Sequence, residues 1–310
     1  MIYILILLGF AMLIFGGNVL VDGAVAVAKR LQVSPLLIGL TLVGFGTSTP
    51  ELMTSLFASA MNAEGIAVGN VVGSNIANVL LVLGVAASMY PISIGKASFK
   101  RDSLFLSLAT GVLVFALLCG RIGFLMGVLM CATLGYYVYY SYRTEEKADH
   151  NSTKPYSIRD HYKEIIKYTA KTIAGIAITV VGARILVINS VILAERWGVS
   201  ETIIGLTIVA LGTSLPELAT SIIASLKKHS DLAWGNVIGS NIYNALFILG
   251  VTALFVPVQV PKNIWPDVLI MVMITALLLY LGHKGKLSQK VGWLFCALYA
   301  LYVGYLAINI

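Results

Sequence analysis

The chain has 310 residues, of which 58% are hydrophobic and only 11% are charged, and its mean hydropathy is +0.90. A soluble domain of this length would carry about a quarter charged residues, so the composition excludes a water-soluble protein and predicts an integral membrane protein. The net charge of +7 lies mostly between the apolar segments, which is informative about membrane topology and does not indicate binding to nucleic acid.

Apolar stretches of about 20 residues, long enough to cross the hydrocarbon core as helices, recur along the whole chain. Strands of alternating polarity are absent, so helices must satisfy the backbone hydrogen bonds in the bilayer. We predict an all-α membrane protein with ten transmembrane helices, and the weakest division is at Gly120 and Arg121. The predicted spans are 2–28, 35–60, 66–90, 103–119, 122–140, 165–194, 201–226, 232–256, 264–282 and 291–308.

The second predicted helix contains the segment Gly-Thr-Ser-Thr-Pro-Glu at 46–51, which puts Glu51 inside an apolar stretch. A charge at bilayer depth costs about 2.5–3.5 kcal/mol on insertion scales, so a cation site is the favoured explanation. Thr47, Glu51 and Ser55 are spaced by four residues and form one polar stripe on the helix. Pro50 lacks an N–H group and clashes with the carbonyl four residues earlier. The helix should therefore break before the glutamate, with freed carbonyls around 44–47 lining a cavity.

The third predicted helix carries a second polar stripe, in which Asn70, Ser74 and Asn78 are again spaced by four. After the fifth helix comes the one clearly polar stretch, 142–163, which we interpret as a mobile cytoplasmic linker. It is too short to form a folded regulatory domain. The linker divides the chain into a first half, residues 1–141, and a second half, residues 164–310.

The second half repeats the first. A shift of 166 residues places 34–84 on 200–250 without a gap, and 28 of these 51 positions are identical. The segment at 46–51 returns as Gly-Thr-Ser-Leu-Pro-Glu at 212–217, so Glu217 matches Glu51 and a second proline break is expected in the seventh helix. The stripe on the third helix returns on the eighth as Asn236, Ser240 and Asn244. Such an internal repeat predicts two copies of one structural unit.

Five spans separate equivalent helices, and an odd number means that the second half is inserted upside down relative to the first. With the N-terminus outside, 17 Lys and Arg residues fall in inner loops and only Arg121, Arg196 and Lys262 in outer loops. This asymmetry predicts that both termini lie outside. Two inverted five-helix repeats that meet at the bilayer midplane, with helices 2 and 7 broken, are the architecture of many secondary transporters.

Four polar stripes in an apolar bundle should face one another, and together they offer two carboxylates, hydroxyls and amide oxygens. Hard ions such as Ca²⁺ and Na⁺ prefer an all-oxygen site, whereas zinc and copper prefer nitrogen or sulfur ligands. The three cysteines are too scattered for a zinc site. Two other charges within spans, Asp22 and Arg184, are not repeated in the opposite half, and we expect them to pair with each other or with loop charges.

Residues 34–84 and 200–250 resemble the alpha repeats of the cation/calcium exchanger superfamily, and specifically its sodium/calcium exchanger branch. The absence of a large cytoplasmic domain is similar to prokaryotic members. The resemblance implies a monomeric antiporter of the cell (inner) membrane that exchanges Na⁺ and Ca²⁺ without a cofactor or a nucleic-acid partner. It also implies that the first and sixth helices slide across the core during alternating access.

The resemblance also assigns ligands to the transported ions. Glu51 and Glu217 match the central carboxylates. The other matched positions are the side-chain ligands Ser48, Ser214, Ser74, Ser240 and Asn78, and the backbone-carbonyl ligands Thr47, Thr213, Gly44 and Ala210. Several family members carry Asp at the position of Asn244, which is Asn here. The formal charge of the site is then −2, which favours K⁺-independent, electrogenic exchange.

Three alternatives remain at this stage. The first is Ca²⁺/H⁺ exchange, or exchange of another divalent cation. In Ca²⁺/H⁺ exchange the glutamates would accept protons, although the proton-exchanging branch usually lacks the Thr-Ser-x-Pro-Glu form. A cation channel also uses oxygen ligands, but inverted halves favour alternating access. A membrane scaffold would not need buried carboxylates. No hydrolytic or redox motif indicates an enzyme.

Overall fold

The computed structural model describes residues 2–61, 64–149, 158–197 and 212–308, and these are almost entirely helical. The helices are α1 (Ile2–Leu31), α2 (Pro35–Ile38), α3 (Gly44–Thr47), α4 (Thr49–Ala60), α5 (Glu64–Ala77), α6 (Gly84–Met89), α7 (Lys96–Leu118), α8 (Phe124–Asp149), α9 (Ile158–Arg196), α10 (Leu215–Leu226), α11 (Ser230–Tyr243), α12 (Leu249–Phe255), α13 (Trp265–Gly282) and α14 (Gln289–Ile308). One-turn π-helices connect α2 to α3, α5 to α6 and α11 to α12, and a short 3₁₀-helix precedes α13.

Eight continuous spans among the described residues are long and apolar enough to cross a membrane. A ninth candidate is the pair Pro35–Thr47 and Thr49–Ala60, which bends by 41°. The seventh predicted span, 201–226, is described only from Gly212 onwards, where α10 is a shorter apolar helix. The chain is thus an all-helical membrane protein, and the total of ten spans stays a prediction.

The predicted division at Gly120 is present. Helix α7 ends at Leu118, Gly120 has a φ of +71°, and α8 begins at Phe124. A positive φ strains any residue with a Cβ atom, so glycine suits this reversal. Two helices therefore replace what would otherwise read as one long apolar segment.

The predicted break before Glu51 is also present. Ser48 has φ −83° and ψ 6°, outside helical geometry, and α4 begins at Thr49 with Pro50 in its first turn. Ser214 has nearly the same angles, φ −87° and ψ 3°, and precedes α10 in the same way. Proline is well tolerated in the first turn of a helix because that N–H would have no intrahelical acceptor. In the first half, the proline break thus ends α3 and starts α4; in the second half, Pro216 lies in the first turn of α10.

The described parts of the two halves keep the 166-residue register in their fold as well as in their sequence. Helices α4 and α10 have the same length, as do α5 and α11. The π-helices that follow begin at Asn78 and at Asn244. Each π-helix lies next to a polar stripe, where such irregular turns are often associated with functional sites.

Two short antiparallel ribbons connect the halves. Strand β1 (Ile92–Ser93) pairs with β4 (Lys286–Leu287), and β2 (Arg121–Ile122) pairs with β3 (Val258–Gln259). Each ribbon joins one loop of the first half to one loop of the second. In both ribbons the two loops are those that the charge distribution assigns to the same side of the membrane, so the pairing agrees with the predicted topology.

The polar stretch 142–163 contains more helix than the sequence predicts. Helix α8 continues to Asp149 and α9 begins at Ile158, so residues 142–149 and 158–163 are helical and not loop. Both helices continue past the apolar spans that the sequence predicts at 122–140 and 165–194. Residues 150–157 of the predicted linker lie outside the described residues.

Helices α1 and α9 pack closely against each other. A Cβ atom added at Gly16 would lie 2.7 Å from the Thr179 backbone nitrogen, and one added at Gly182 would lie 2.7 Å from the Met12 Cβ. Small residues permit such close approach between membrane helices. The spans Glu64–Met89 and Ser230–Phe255 are mostly buried, unlike the other six continuous spans, so they form the centre of the protein.

Candidate functional site

The two glutamates lie together at the centre. Glu51 and Glu217 each occupy the first turn of the helix that follows a proline break. Both side chains are fully buried in protein, and they are close enough for their charges to repel each other. The two polar stripes that carry them therefore meet and do not face lipid.

The break in the first half contacts the carboxylate of the second half. The Ser48 hydroxyl donates a hydrogen bond of 3.2 Å to Oε1 of Glu217. The side chains of Thr47 and Ser240 also face this carboxylate. Four of the predicted ligand residues thus surround one point between the repeats.

Many polar atoms here are buried without a hydrogen-bond partner among the residues that the structure describes. They are both carboxylate oxygens of Glu51, Oε2 of Glu217, the hydroxyls of Ser214 and Ser240, and both amide atoms of Asn78 and Asn244. Native proteins seldom leave buried polar groups unpaired, and a cation surrounded by oxygen ligands would satisfy the acceptors. The chemistry of this set suits a hard ion.

The remaining predicted ligands are Ser74, Thr213, Gly44 and Ala210. Ser74 is buried, and Thr213 is half-buried beside the second break. The carbonyl of Gly44, predicted to be freed by Pro50, is not free: it accepts the Ser48 N–H at 3.1 Å and lies 3.4 Å from the Thr47 hydroxyl. To bind an ion, this carbonyl would have to give up one of these hydrogen bonds, because it has two lone pairs. Ala210 lies outside the described residues.

The site has only two acidic side chains. Within residues 2–61, 64–149, 158–197 and 212–308, no three His, Cys, Asp or Glu side chains cluster in a way that would hold a metal ion. Any bound cation would then complete its coordination with hydroxyl, amide and carbonyl oxygens. A site with two carboxylates and otherwise neutral oxygen ligands suits an ion that must also be released, because fewer charged ligands give weaker binding.

Two other asparagines of the polar stripes, which are not among the predicted ligands, donate hydrogen bonds to the helices that carry the glutamates. Asn70 donates through Nδ2 to the Glu51 carbonyl at 3.1 Å and to the Ser55 hydroxyl at 2.9 Å. Asn236 repeats this pattern in the second half, with contacts to the Glu217 carbonyl at 3.3 Å and the Ser221 hydroxyl at 2.9 Å. The four-residue spacing places these asparagines on the helix face that meets the glutamate helix. It does not show whether the amide nitrogen or the amide oxygen points towards that helix.

Asn75 and Asn241, which were not predicted from the sequence to interact, form a contact between the repeats. Both are buried, and Nδ2 of Asn241 lies 3.4 Å from the carbonyl of Asn75. The two residues occupy equivalent positions, so the contact joins one repeat to its copy. Their recurrence within the matched Gly-Ser-Asn-Ile segments was the signal that could have revealed it.

The two other charges in spans have separate environments. Asp22 pairs with Lys227 at 2.7 Å and with Lys171 at 3.9 Å. Lys227 lies in the loop between α10 and α11, so the expectation of a loop partner is confirmed for Asp22. Arg184 is exposed on α9.

Comparison with known proteins gives a consistent result. The family model described as "Sodium/calcium exchanger protein" matches residues 1–143 and 167–308. The chain is 34% identical to the sodium/calcium exchanger MaX1 of Methanosarcina acetivorans, over 99% of this chain and 97% of MaX1. It is 33% identical to the inner membrane protein YrbG of Escherichia coli, over 83% and 80% of the two chains. A structure of the sodium-calcium exchanger NCX_Mj, soaked with 10 mM Na⁺ and zero Ca²⁺, superposes with a TM-score of 0.85 at 32% identity, over 98% of this chain and 99% of the other.

Proposed function

Because the chain belongs to the sodium/calcium exchanger protein family, we propose that it is a secondary antiporter that exchanges Na⁺ for Ca²⁺ by alternating access. The observation that carries this proposal is the buried pair Glu51 and Glu217, one from each repeat, whose carboxylate oxygens are mostly unpaired among the described residues. The ligands are those predicted from the sequence: Glu51, Glu217, Ser48, Ser214, Ser74, Ser240, Asn78, Asn244, Thr47, Thr213, Gly44 and Ala210.

The charges of the pair account for the coupling of the two ions. Two carboxylates neutralise one Ca²⁺ or two Na⁺. Both ions need the same oxygens, so their occupancies exclude each other, and this competition is an unfavourable (positive) coupling free energy between the binding events. With no ion bound, two close carboxylates in a desolvated site repel, which opposes crossing of the empty carrier.

The charges also predict electrogenic exchange. Further Na⁺ would bind at hydroxyl and carbonyl oxygens without an extra acidic residue, so the Na⁺-loaded site would carry more positive charge than the Ca²⁺-loaded site. Asn78 and Asn244 are both buried neutral amides, and the missing carboxylate at 244 favours exchange without K⁺. Imposing a membrane potential on the transport assay tests the first property, and omitting K⁺ tests the second.

Alternating access would move α1 and α9 against the rest of the bundle. These two helices pack on each other through glycines along their length. They also contact α10, which carries Glu217, and α3, which precedes the break before Glu51: Gly17 of α1 lies against Ile223 of α10, and Gly46 of α3 lies against Ile176 of α9. A shift of this pair would open one end of the site and close the other.

The test is flux into proteoliposomes that contain the purified protein. An outward Na⁺ gradient should drive uptake of radioactive Ca²⁺, and a positive-outside or negative-outside potential should change its rate. Glu51→Gln should abolish uptake, while Glu64→Gln, at the start of α5, serves as the matched control. Uptake driven only by a pH gradient would instead support the proton-coupled alternative. Absence of Na⁺-driven uptake, or full activity in Glu51→Gln, would rule out the proposal.

A further inference from the structure

Two asparagines that are absent from the predicted ligand set tie the glutamate helices to the centre of the protein. Asn70 of α5 uses both hydrogens of its amide on α4, and Asn236 of α11 uses both on α10. In each case one acceptor is the backbone carbonyl of the glutamate itself. The other is the serine hydroxyl four residues further along the helix.

The orientation of the amides follows from their acceptors. A backbone carbonyl can only accept a hydrogen bond, so the nitrogen of each amide must face the glutamate helix. The oxygen must then point the other way. In Asn236 this oxygen lies 3.3 Å from the Thr47 hydroxyl of the opposite repeat. Thr47 is itself a predicted carbonyl ligand, so Asn236 contacts the binding machinery of both halves.

The position of these bonds matters because of the breaks. Pro50 and Pro216 each lie in the first turn of a helix, and the backbone N–H groups of a first turn have no acceptor within the helix, so this turn is less restrained than later turns. The glutamates lie in that turn. A side-chain donor from the neighbouring buried span, attached at the glutamate carbonyl, restrains the turn at the residue whose carboxylate must meet the ion.

We propose that Asn70 and Asn236 are paired positioning residues, which fix Glu51 and Glu217 for cation binding by donating hydrogen bonds and do not coordinate the ion themselves. The same two contacts occur at equivalent atoms in both copies of the repeat. Asn236 has the additional contact to Thr47, so its replacement should weaken binding more than replacement of Asn70. This inference rests on the proposed exchange of Na⁺ and Ca²⁺.

Replacement by aspartate distinguishes positioning from coordination. Asn→Asp keeps the size of the side chain but exchanges two donor hydrogens for an acceptor oxygen. For an ion ligand, the added negative oxygen should strengthen Ca²⁺ binding. For a positioning donor, it should weaken binding as much as Asn→Leu, because both hydrogen bonds are lost and an oxygen faces the glutamate carbonyl.

The experiment measures Na⁺-driven Ca²⁺ uptake in proteoliposomes, with the KM for Ca²⁺ separated from the maximal rate. Asn236→Asp and Asn236→Leu should each raise KM about tenfold or more, the change expected from losing one to two hydrogen bonds. Asn70→Asp should raise it at least fivefold. Asn18→Asp, which changes an amide that contacts only the Ile14 carbonyl of its own helix, is the matched control and should leave KM unchanged. A lower KM, or a rise below fivefold, in Asn236→Asp would overturn the inference.

Milder variants cover the case in which the aspartate proteins do not fold. Ser221→Ala and Ser55→Ala each remove one acceptor and keep the asparagine, and each should raise KM about threefold, with thermal unfolding midpoints close to the unsubstituted protein. Unchanged KM in both would also overturn the inference. If the unsubstituted protein shows no Na⁺-driven Ca²⁺ uptake, the proposed exchange is wrong. If it shows uptake but the variants have an unchanged KM, only the positioning role of the asparagines is wrong.

Discussion

Ser48 of the first repeat donates its hydroxyl hydrogen to Glu217 of the second repeat at 3.2 Å, and this bond has no counterpart in the opposite direction. Ser214, the equivalent of Ser48, and Glu51, the equivalent of Glu217, have no side-chain hydrogen-bond partner within the described part of the chain. Two repeats with nearly the same sequence thus make different contacts. The proposed alternating access requires such a difference, because the two ends of a transporter are not equivalent in any one access state.

A second pair of serines shows the same difference. The Ser225 hydroxyl lies 2.9 Å from the carbonyl of Ala86 and 3.1 Å from that of Tyr90, so it ties the end of α10 to the end of α6. Its equivalent, Ser59, is buried and unpaired among the residues described. The ion pair between Asp22 and Lys227 lies at the same end of α10 as Ser225. This end of the bundle is therefore held together by contacts that the other repeat does not make.

The asymmetry at Ser48 leads to a prediction about stability without ions. Ser48→Ala removes a hydrogen bond to a charged group and should lower the unfolding midpoint of the detergent-purified protein in Na⁺-free and Ca²⁺-free buffer, since such bonds contribute about 1.5–3 kcal/mol. Ser214→Ala removes a hydroxyl that makes no bond and should leave the midpoint unchanged. Equal shifts in the two variants would contradict the asymmetry.

The ion pair between Asp22 and Lys227 should affect the rate of transport more than ion affinity. It joins α1 to the loop after α10, and both side chains are partly exposed, so it contributes at most about 1 kcal/mol. Asp22→Asn should change the maximal rate of Ca²⁺ uptake about two- to fivefold with unchanged KM. The charge exchange Asp22→Lys with Lys227→Asp should restore the rate only in part, because Lys171, which lies 3.9 Å from Asp22, would repel a lysine at that position.

The control for that prediction is a second surface ion pair. Arg30 and Glu164 are 2.8 Å apart and join α1 to α9, the two helices proposed to move together. Arg30→Gln should therefore leave the maximal rate unchanged. A rate change as large as that of Asp22→Asn would show that loss of any surface ion pair has this effect, and would contradict a specific role for Asp22.

A buried cluster around Asp102 should control stability. Asp102 is fully buried and accepts hydrogen bonds from Arg101 Nε at 2.9 Å and from Trp234 Nε1 at 3.0 Å. Asp102→Ala removes the carboxylate that pairs with a buried guanidinium, which should destabilise the protein by about 3–5 kcal/mol. Trp234→Phe removes one bond to the carboxylate and should destabilise it less, by about 1.5–3 kcal/mol. Unfolding measured with both variants tests this order.

Helix α11 lies so close to residues 36–40 of the second predicted span that no side chain should fit at Gly235. A Cβ atom at Gly235 would lie 2.5 Å from the Leu36 carbonyl and 3.1 Å from the Leu40 nitrogen. Gly235→Ala must therefore separate the helices that hold the site, and both the unfolding midpoint and Ca²⁺ uptake should fall. Gly111→Ala is the control, since a Cβ there would meet no described atom within 4 Å. Its stability should be unchanged or slightly higher, because alanine favours helix more than glycine.

His229 should make stability depend on pH. Burial lowers the pKa of His229 below its ordinary value of 6.5, and Lys29 and Lys227 lower this pKa further, against the opposing effect of Asp22 and Asp231. The unfolded chain then takes up a proton more readily than the folded protein. The contribution of His229 is complete above about pH 6.5 and is lost as the pH falls through the lower folded pKa. His229→Gln should flatten this acid-side decline in the unfolding midpoint, and an unchanged decline would contradict the prediction.

Much of the architecture follows from the sequence alone. Hydropathy and length determine where a helix can cross the bilayer, and the breaks at Pro50 and Pro216 follow from the missing N–H of proline. The 166-residue repeat identifies which residues are equivalent, and the polar stripes identify which helix faces carry the glutamates. These features depend on neighbours within one helix or on direct comparison of two segments, so no knowledge of packing is needed.

The tertiary structure alone decides which of two equivalent residues makes a given contact. Ser48 and Ser214 have nearly the same local sequence, yet only Ser48 contacts a carboxylate among the described residues, because the two halves meet in one unsymmetrical arrangement. In the same way, spacing places Asn70 and Asn236 on the right face, but only packing shows that their nitrogens face the glutamate helices. Contacts between segments more than a hundred residues apart depend on how whole helices are placed, and a one-dimensional pattern does not contain that placement.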